Sequence, residues 1–289
     1  MENDERYFWD LTGYLLVKGV LTARELAAAN SAIDYCADRI EIGEPNGGAR
    51  ESQALRGSGH RAIYADTLLF QLDQPHCEPF RRMLAHPAIV IRLNEMCGKG
   101  FRFDHGPHFI GGVEGTGGLT LHGAGDPHRS YVAYHHQNGR MHCGGVTVSW
   151  NLTNVKAGDG AFVCVPGSHK SRFPMPAGVR TCDDDMGVVL QPEVEAGDVL
   201  FFMDGAQTHG TLPWRGDGER RSVLFKYASR SATRTGASMT LADPERYWDE
   251  DTVEGMTEEE RAVMFGPCSA RRDGVCLTVD DEGVVRVAR

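Results

Sequence analysis

Residues 7–21, Tyr-Phe-Trp-Asp-Leu-Thr-Gly-Tyr-Leu-Leu-Val-Lys-Gly-Val-Leu, pass from spaced to continuous apolar positions and predict a short helix followed by a strand. Thr22-Ala23-Arg24-Glu25 then has the form of a capping box, in which hydroxyl and carboxylate each satisfy a backbone N–H, and an Ala-rich helical pattern runs on to about Ile40. The polar, Gly-rich stretch 41–61 predicts a surface loop, and residues 78–97 a second helical region. From Phe101 the period shortens. Apolar runs separated by Gly, Asn and Asp continue to about Tyr227, the habit of a β-barrel or sandwich. Gln137-Asn138-Gly139-Arg140 predicts a hairpin turn, because Asn-Gly tolerates positive φ, and a strand should follow from about Met141 to Leu152. Val199–Phe202 and Val223–Tyr227 predict two more. Beyond Ser231 come a Ser/Thr-rich linker, a capped helix near Thr257–Phe265 and a hairpin around residues 280–283.

The expected fold class is therefore mainly β with flanking helices. A single domain over 1–289 would have a helical N-terminal flank (1–100), a β core (101–230) and a C-terminal extension (231–289) acting as lid, interface or packing. Composition supports a buried core, with 41% hydrophobic and 24% charged residues. No apolar run approaches the roughly 20 residues that cross a bilayer. The acidic start, Met1-Glu2-Asn3-Asp4-Glu5-Arg6, has no apolar signal core, so a cytoplasmic protein with reduced, buried cysteines is expected.

The formal net charge of −10 disfavours nucleic-acid polymers and anionic membrane surfaces. It leaves room for one small anionic ligand in a locally basic place. His128, Arg129, His135, His136, Arg140, His142, Lys170 and Arg172 are candidates for such a place, or are simply two solvated loops. His105 and His108, on the strand before His122, either line a pocket or stabilise it.

Three residues carry the candidate chemistry. His122 and His209 can each offer a neutral imidazole to a metal, and Arg220 can hold a carboxylate through paired N–H donors. His122 ends an apolar run, Leu119-Thr120-Leu121, and is followed by Gly123-Ala124. Taken one at a time, each is more simply a surface or core residue.

Four motifs give them a context. These are Gly13-Tyr14-Leu15-Leu16-Val17-Lys18-Gly19-Val20-Leu21-Thr22; Trp150-Asn151-Leu152 through Gly158-Asp159-Gly160 to Val165-Pro166-Gly167-Ser168-His169-Lys170; Glu195-Ala196-Gly197-Asp198-Val199-Leu200-Phe201-Phe202; and His209 to Arg220-Arg221-Ser222. In this order, residues from about Leu11 to Ser229 resemble the phytanoyl-CoA dioxygenase family of iron(II)/2-oxoglutarate-dependent oxygenases. The resemblance implies a double-stranded β-helix (jelly-roll) core, His209 as distal iron ligand and Arg220 as anchor for the far carboxylate of 2-oxoglutarate. It also implies that Thr211 and Trp150 contact that co-substrate, and that His169 shapes a loop.

The family's proximal motif is His-x-Asp, and the chain departs from it. His136-Gln137-Asn138 is close in letters but sits at the expected hairpin tip. His122 matches the usual separation from the distal histidine, and is the preferred ligand. The aspartate position is then Ala124. His-x-Ala resembles the halogenase-like branch of these oxygenases, where chloride takes the place of the carboxylate and restores its negative charge. Gly123, beside Ala124, would leave space for the halide. The implied cofactors are iron(II), 2-oxoglutarate, dioxygen and chloride. The implied reaction is chlorination of an unactivated C–H bond in a small polar metabolite of secondary metabolism, with His105, His108, Arg129 and His136 as substrate contacts. Two alternatives stand beside it: a hydroxylase in which Asp126 or Asp159 reaches the iron, and a small-ligand binding protein of the same fold.

Overall fold

The computed structural model describes all residues except 44–50, 58–60, 65, 125–128, 172, 234–238, 270–274 and 289. Helix α1 (Asn3–Thr12) starts with a capping box on Glu2 and stops at Gly13, whose φ of 82° is the left-handed conformation that glycine accepts at least cost. Strand β1 (Tyr14–Val17) follows. Helix α2 (Ala23–Tyr35) begins at the expected box, with Thr22 and Glu25 bonded reciprocally. It ends at Tyr35, short of Ile40. The expected loop after it is also corrected: β2 (Glu41–Gly43) pairs with β3 (Arg61–Tyr64). The helical region near residue 80 is two helices, α3 (Glu78–Leu84) and α4 (Pro87–Met96). They separate before Pro87, because proline is tolerated only in a first helical turn.

The β core follows: β4 (Arg102–Gly112), β5 (Leu119–His122), β6 (Tyr134–Gln137), β7 (Arg140–Cys143), β8 (Gly145–Asn151) and β9 (Ala161–Cys164). After the short helix α5 (Ala177–Thr181) come β10 (Val199–Met203), β11 (His209–Leu212) and β12 (Arg220–Ala228). Asn138 and Gly139 both have positive φ in the β6–β7 hairpin, as the Asn-Gly turn requires. The strand expected over 141–152 breaks at Gly144, where a Cβ would lie 1.8 Å from the Tyr131 carbonyl oxygen. The chain closes with α6 (Pro244–Tyr247), α7 (Glu250–Val253), α8 (Glu258–Ala262) and the hairpin β13 (Cys276–Val279) and β14 (Val285–Ala288).

The strands form a seven-stranded antiparallel sheet, β1-β10-β8-β12-β4-β3-β2, and a three-stranded one, β5-β11-β9. The first hundred residues thus contribute three strands to the larger sheet as well as the helices. Strand β8 shows how the larger sheet works: all seven of its residues are buried, yet apolar and polar ones alternate. Val146, Val148 and Trp150 join Phe201, Phe225 and Tyr227 in the main core, where Ile33, Phe80 and Leu93 of the helices cover them. Val253, Met264 and Leu277 of the C-terminal region belong to the same core. Thr147, Ser149 and Asn151 point the other way, toward the smaller sheet. Ring contacts of Phe202 in β10 with Phe162 in β9 and His209 in β11 close the two sheets on each other. Polar side chains on a fully buried strand are expensive unless hydrogen-bonded, and Thr147 and Asn151 are, to Asp204 and to the Ser149 and Asp198 carbonyls.

Candidate active site

Strands β5 and β11 are antiparallel neighbours, and their register sets His122 directly opposite His209. The two imidazole centroids lie 4.3 Å apart. His209 Nδ1 stands 2.8 Å from the Gln207 carbonyl oxygen, and His122 Nδ1 3.1 Å from that of Thr120. A carbonyl only accepts, so Nδ1 carries the hydrogen in both rings and Nε2 carries the lone pair, the form a metal ligand needs. Burial first, then the neighbouring His122, pushes the His209 pKa down to about 3, so the ring is neutral at ordinary pH. Two imidazoles in contact, each with Nδ1 turned to a backbone carbonyl, fit a divalent transition metal.

Ala124 follows on a left-handed turn, with φ 53°, and carries only a methyl group. Gly123 is required before it: its φ is 99°, and a Cβ there would lie 2.3 Å from the Gln207 carbonyl oxygen. Among the described residues no group of three or more His, Cys, Asp or Glu side chains could hold a metal ion. Asp126 and His128 lie outside the described residues. Asp159 accepts from the Lys156 N–H within a turn and lies close to Gly216.

Arg220 opens β12 opposite Gly112 and is half-buried on the inner face, with Nη2 3.4 Å from Ser222 Oγ. It lines a small cavity with Asn151, Phe162 and Leu200. Phe162 ties that cavity to the histidines, since its ring stacks 6.4 Å from that of His209. Thr211 lies two positions after His209, on the same face of β11 and opposite Phe162 in β9. Trp150 is not brought to this group. Its indole lies on the outer face of the sheet, edge-on to His86 and Phe225 in the main core.

The site also contains residues that the sequence did not reveal. At the level of Phe202 a polar row crosses the sheet. Asp204, just past β10, accepts from Thr147 Oγ1 at 3.2 Å and pairs with Lys226 Nζ at 2.8 Å; Lys226 faces His105 across the β12–β4 pair. Burial opposes ionisation of Asp204, but the Lys226 ammonium beside it outweighs that and holds the carboxyl well below the usual range. His105 is held in turn by Asp104 at 2.6 Å, and its ring lies 5.6 Å from that of His108. The alternation Thr147, Ser149, Asn151 within an otherwise apolar strand was the available signal for this inner face. Nothing in the sequence marked Asp204 or Lys226.

Of the other expected substrate residues, Arg129 is exposed, and His136 is exposed on the β6–β7 hairpin near Asp10 of α1. Arg172 lies outside the described residues. The cysteines are unpaired by disulfides, and all but Cys182 and Cys276 are buried.

Comparison with known proteins identifies the family and the fold. Residues 9–222 match the phytanoyl-CoA dioxygenase (PhyH) family. No curated protein matches. Among solved structures, HygX from Streptomyces hygroscopicus, with nickel, 2-oxoglutarate and hygromycin B bound, has 21% identity and a TM-score of 0.63, covering 79% of this chain and 88% of its own. The non-heme α-ketoglutarate-dependent carbocyclase SnoK from nogalamycin biosynthesis has 18% identity and a TM-score of 0.57, over 81% and 86% of the two chains. The epimerase SnoN, in complex with Fe3+, α-ketoglutarate and nogalamycin RO, has 19% identity and a TM-score of 0.54, over 79% and 83%. The family match spans about three quarters of the chain and includes both histidines and Arg220. The chain belongs to the phytanoyl-CoA dioxygenase family, and is a non-heme iron(II)/2-oxoglutarate-dependent oxidoreductase.

Proposed function

We propose that this oxygenase is a halogenase, with iron held by only two protein side chains, His122 and His209, and chloride in the place that Ala124 vacates. The observation that carries the reading is the pairing of those histidines beside a methyl group. An aspartate at that position would occupy a coordination site and bring one negative charge. Alanine brings neither, which favours an external anion. Asp204 is a poor substitute ligand because Lys226 and Thr147 already hold it.

Bound iron supplies the oxidative decarboxylation of 2-oxoglutarate by dioxygen, coupled to replacement of a substrate C–H hydrogen. The chain's own residues do the rest. Arg220 receives the distal carboxylate of 2-oxoglutarate through charge-assisted N–H bonds, with Thr211 between it and His209. Phe162 and Phe202 exclude water beside His209. His105 and His108 stand on the inner face as the substrate contacts, while Arg129 and His136 stand outside it. HygX and SnoN were solved with hygromycin B and nogalamycin RO. A small-molecule substrate from secondary metabolism fits that likeness.

The test is product analysis with 2-oxoglutarate and chloride or bromide, over a panel of candidate metabolites. A product carrying the halogen isotope pattern, lost in Ala124→Asp, is expected. Hydroxylated product alone, with chloride present and the wild-type chain, would assign the hydroxylase instead.

A further inference from the structure

The turn that carries His209 is anchored to the end of the N-terminal helix. The last turn of any helix leaves carbonyl oxygens without intrahelical partners. In α1 those of Asp10 and Thr12 are met by the two loops that flank the histidine pair. Gly167 N–H donates to Thr12 O at 2.8 Å, His169 Nε2 to Asp10 O at 3.0 Å, and Gln207 Nε2 to Thr12 O at 2.6 Å. Gln207 is fully buried, although it is polar and sits in a turn. Its own carbonyl is the acceptor that orients His209.

His169 and Gln207 both lie against Gly13, where α1 ends. A Cβ on Gly13 would lie 2.7 Å from His169 Nδ1 and 2.9 Å from Gln207 Nε2. With Nε2–H donated to Asp10 O, Nδ1 of His169 is left as an acceptor. His169 Nδ1 and Gln207 Oε1 are buried without hydrogen-bond partners among the described residues, so the bonds to Asp10 O and Thr12 O are the ones that hold these two side chains.

We propose that Gln207 is a positioning residue for the metal site: its side chain locks onto α1 while its carbonyl sets the ring of His209, and His169 braces the same joint. The helix is thereby part of the metal centre, at one remove. This rests on His122 and His209 holding the metal.

The experiment titrates the intact apo-protein with cobalt(II), anaerobically, reading affinity and the visible d–d spectrum. Gln207→Leu keeps the volume and removes the donors. It is expected to weaken cobalt binding about tenfold or more, the scale of a disturbed outer partner, and to alter the band shape. His169→Leu should shift both readouts the same way. Thr22→Ala, which uncaps the distant helix α2, should lower the melting temperature and leave both unchanged. Wild-type affinity and spectrum in Gln207→Leu would overturn the proposal, as would equal weakening in Thr22→Ala. Failure of the wild type to bind cobalt would overturn the histidine pair itself, and the brace with it.

Discussion

At the scale of single residues, the protonation of His209 has a measurable consequence. In the unfolded chain this imidazole titrates near pH 6.5, but in the fold it stays neutral down to about 3. Between those values the unfolded state holds a proton that the folded state does not. Stability of the apo-protein therefore rises with pH across this window and falls as the solution is acidified from 7 to 4.5. His86, His142 and His169 are lowered by burial too and act in the same direction. A metal on Nε2 distinguishes His209 from them, since it binds only the folded pair. Urea midpoints at pH 7 and 4.5 should differ in the apo-protein, and saturating cobalt should raise the midpoint at both. No cobalt effect in the wild type, or an equal effect in His209→Asn, would contradict this. The candidate residues read from the sequence divide by chemistry. His122, His209 and Arg220 were legible because metal and carboxylate binding demand particular side chains. Trp150 was placed by likeness alone, and the alternation of its strand sends it outward. Gln207 carried no signal, because its role is exerted through a backbone carbonyl.

At the scale of elements, local chemistry was a good guide where it is self-contained. The Thr22–Glu25 box, the Asn138-Gly139 turn and the Thr257–Glu260 box all form in the structure. Each satisfies its own backbone groups within a few residues, so no distant partner has to be known. Strands β2 and β3 were missed because edge pairing depends on β4, far along the sequence. The break at Gly144 was missed because its cause is the Tyr131 carbonyl, another segment altogether. Removing a self-contained device should have a self-contained cost. Thr22→Ala is expected to destabilise the protein by about 1 kcal/mol in urea unfolding, without altering metal affinity. A loss within error of zero would show that packing of Ala29, Ala32 and Ile33 alone fixes where α2 begins.

Across the whole molecule, the two faces of the larger sheet divide the work. The outer face packs helices and gives stability. The inner face mixes polar side chains with Leu200, Phe202 and Leu224, is closed by the small sheet, and is graded along its length. Arg220 lies at one end of β12 and Lys226 six residues on, about 20 Å away at strand spacing. The histidines stand nearer the Lys226 end, at the level of Phe202. A co-substrate held by Arg220 and a substrate near His105 would thus approach the metal from opposite ends. No helix among the described residues is long and apolar enough to cross a membrane. The proposed metal centre has two protein ligands and an external anion. A crystal grown without oxygen, with iron(II), 2-oxoglutarate and bromide, tests it most directly. An anomalous bromine peak is expected within bonding distance of an iron held by His122 Nε2 and His209 Nε2. An aspartate or glutamate oxygen bonded to that iron in the wild-type protein would contradict it.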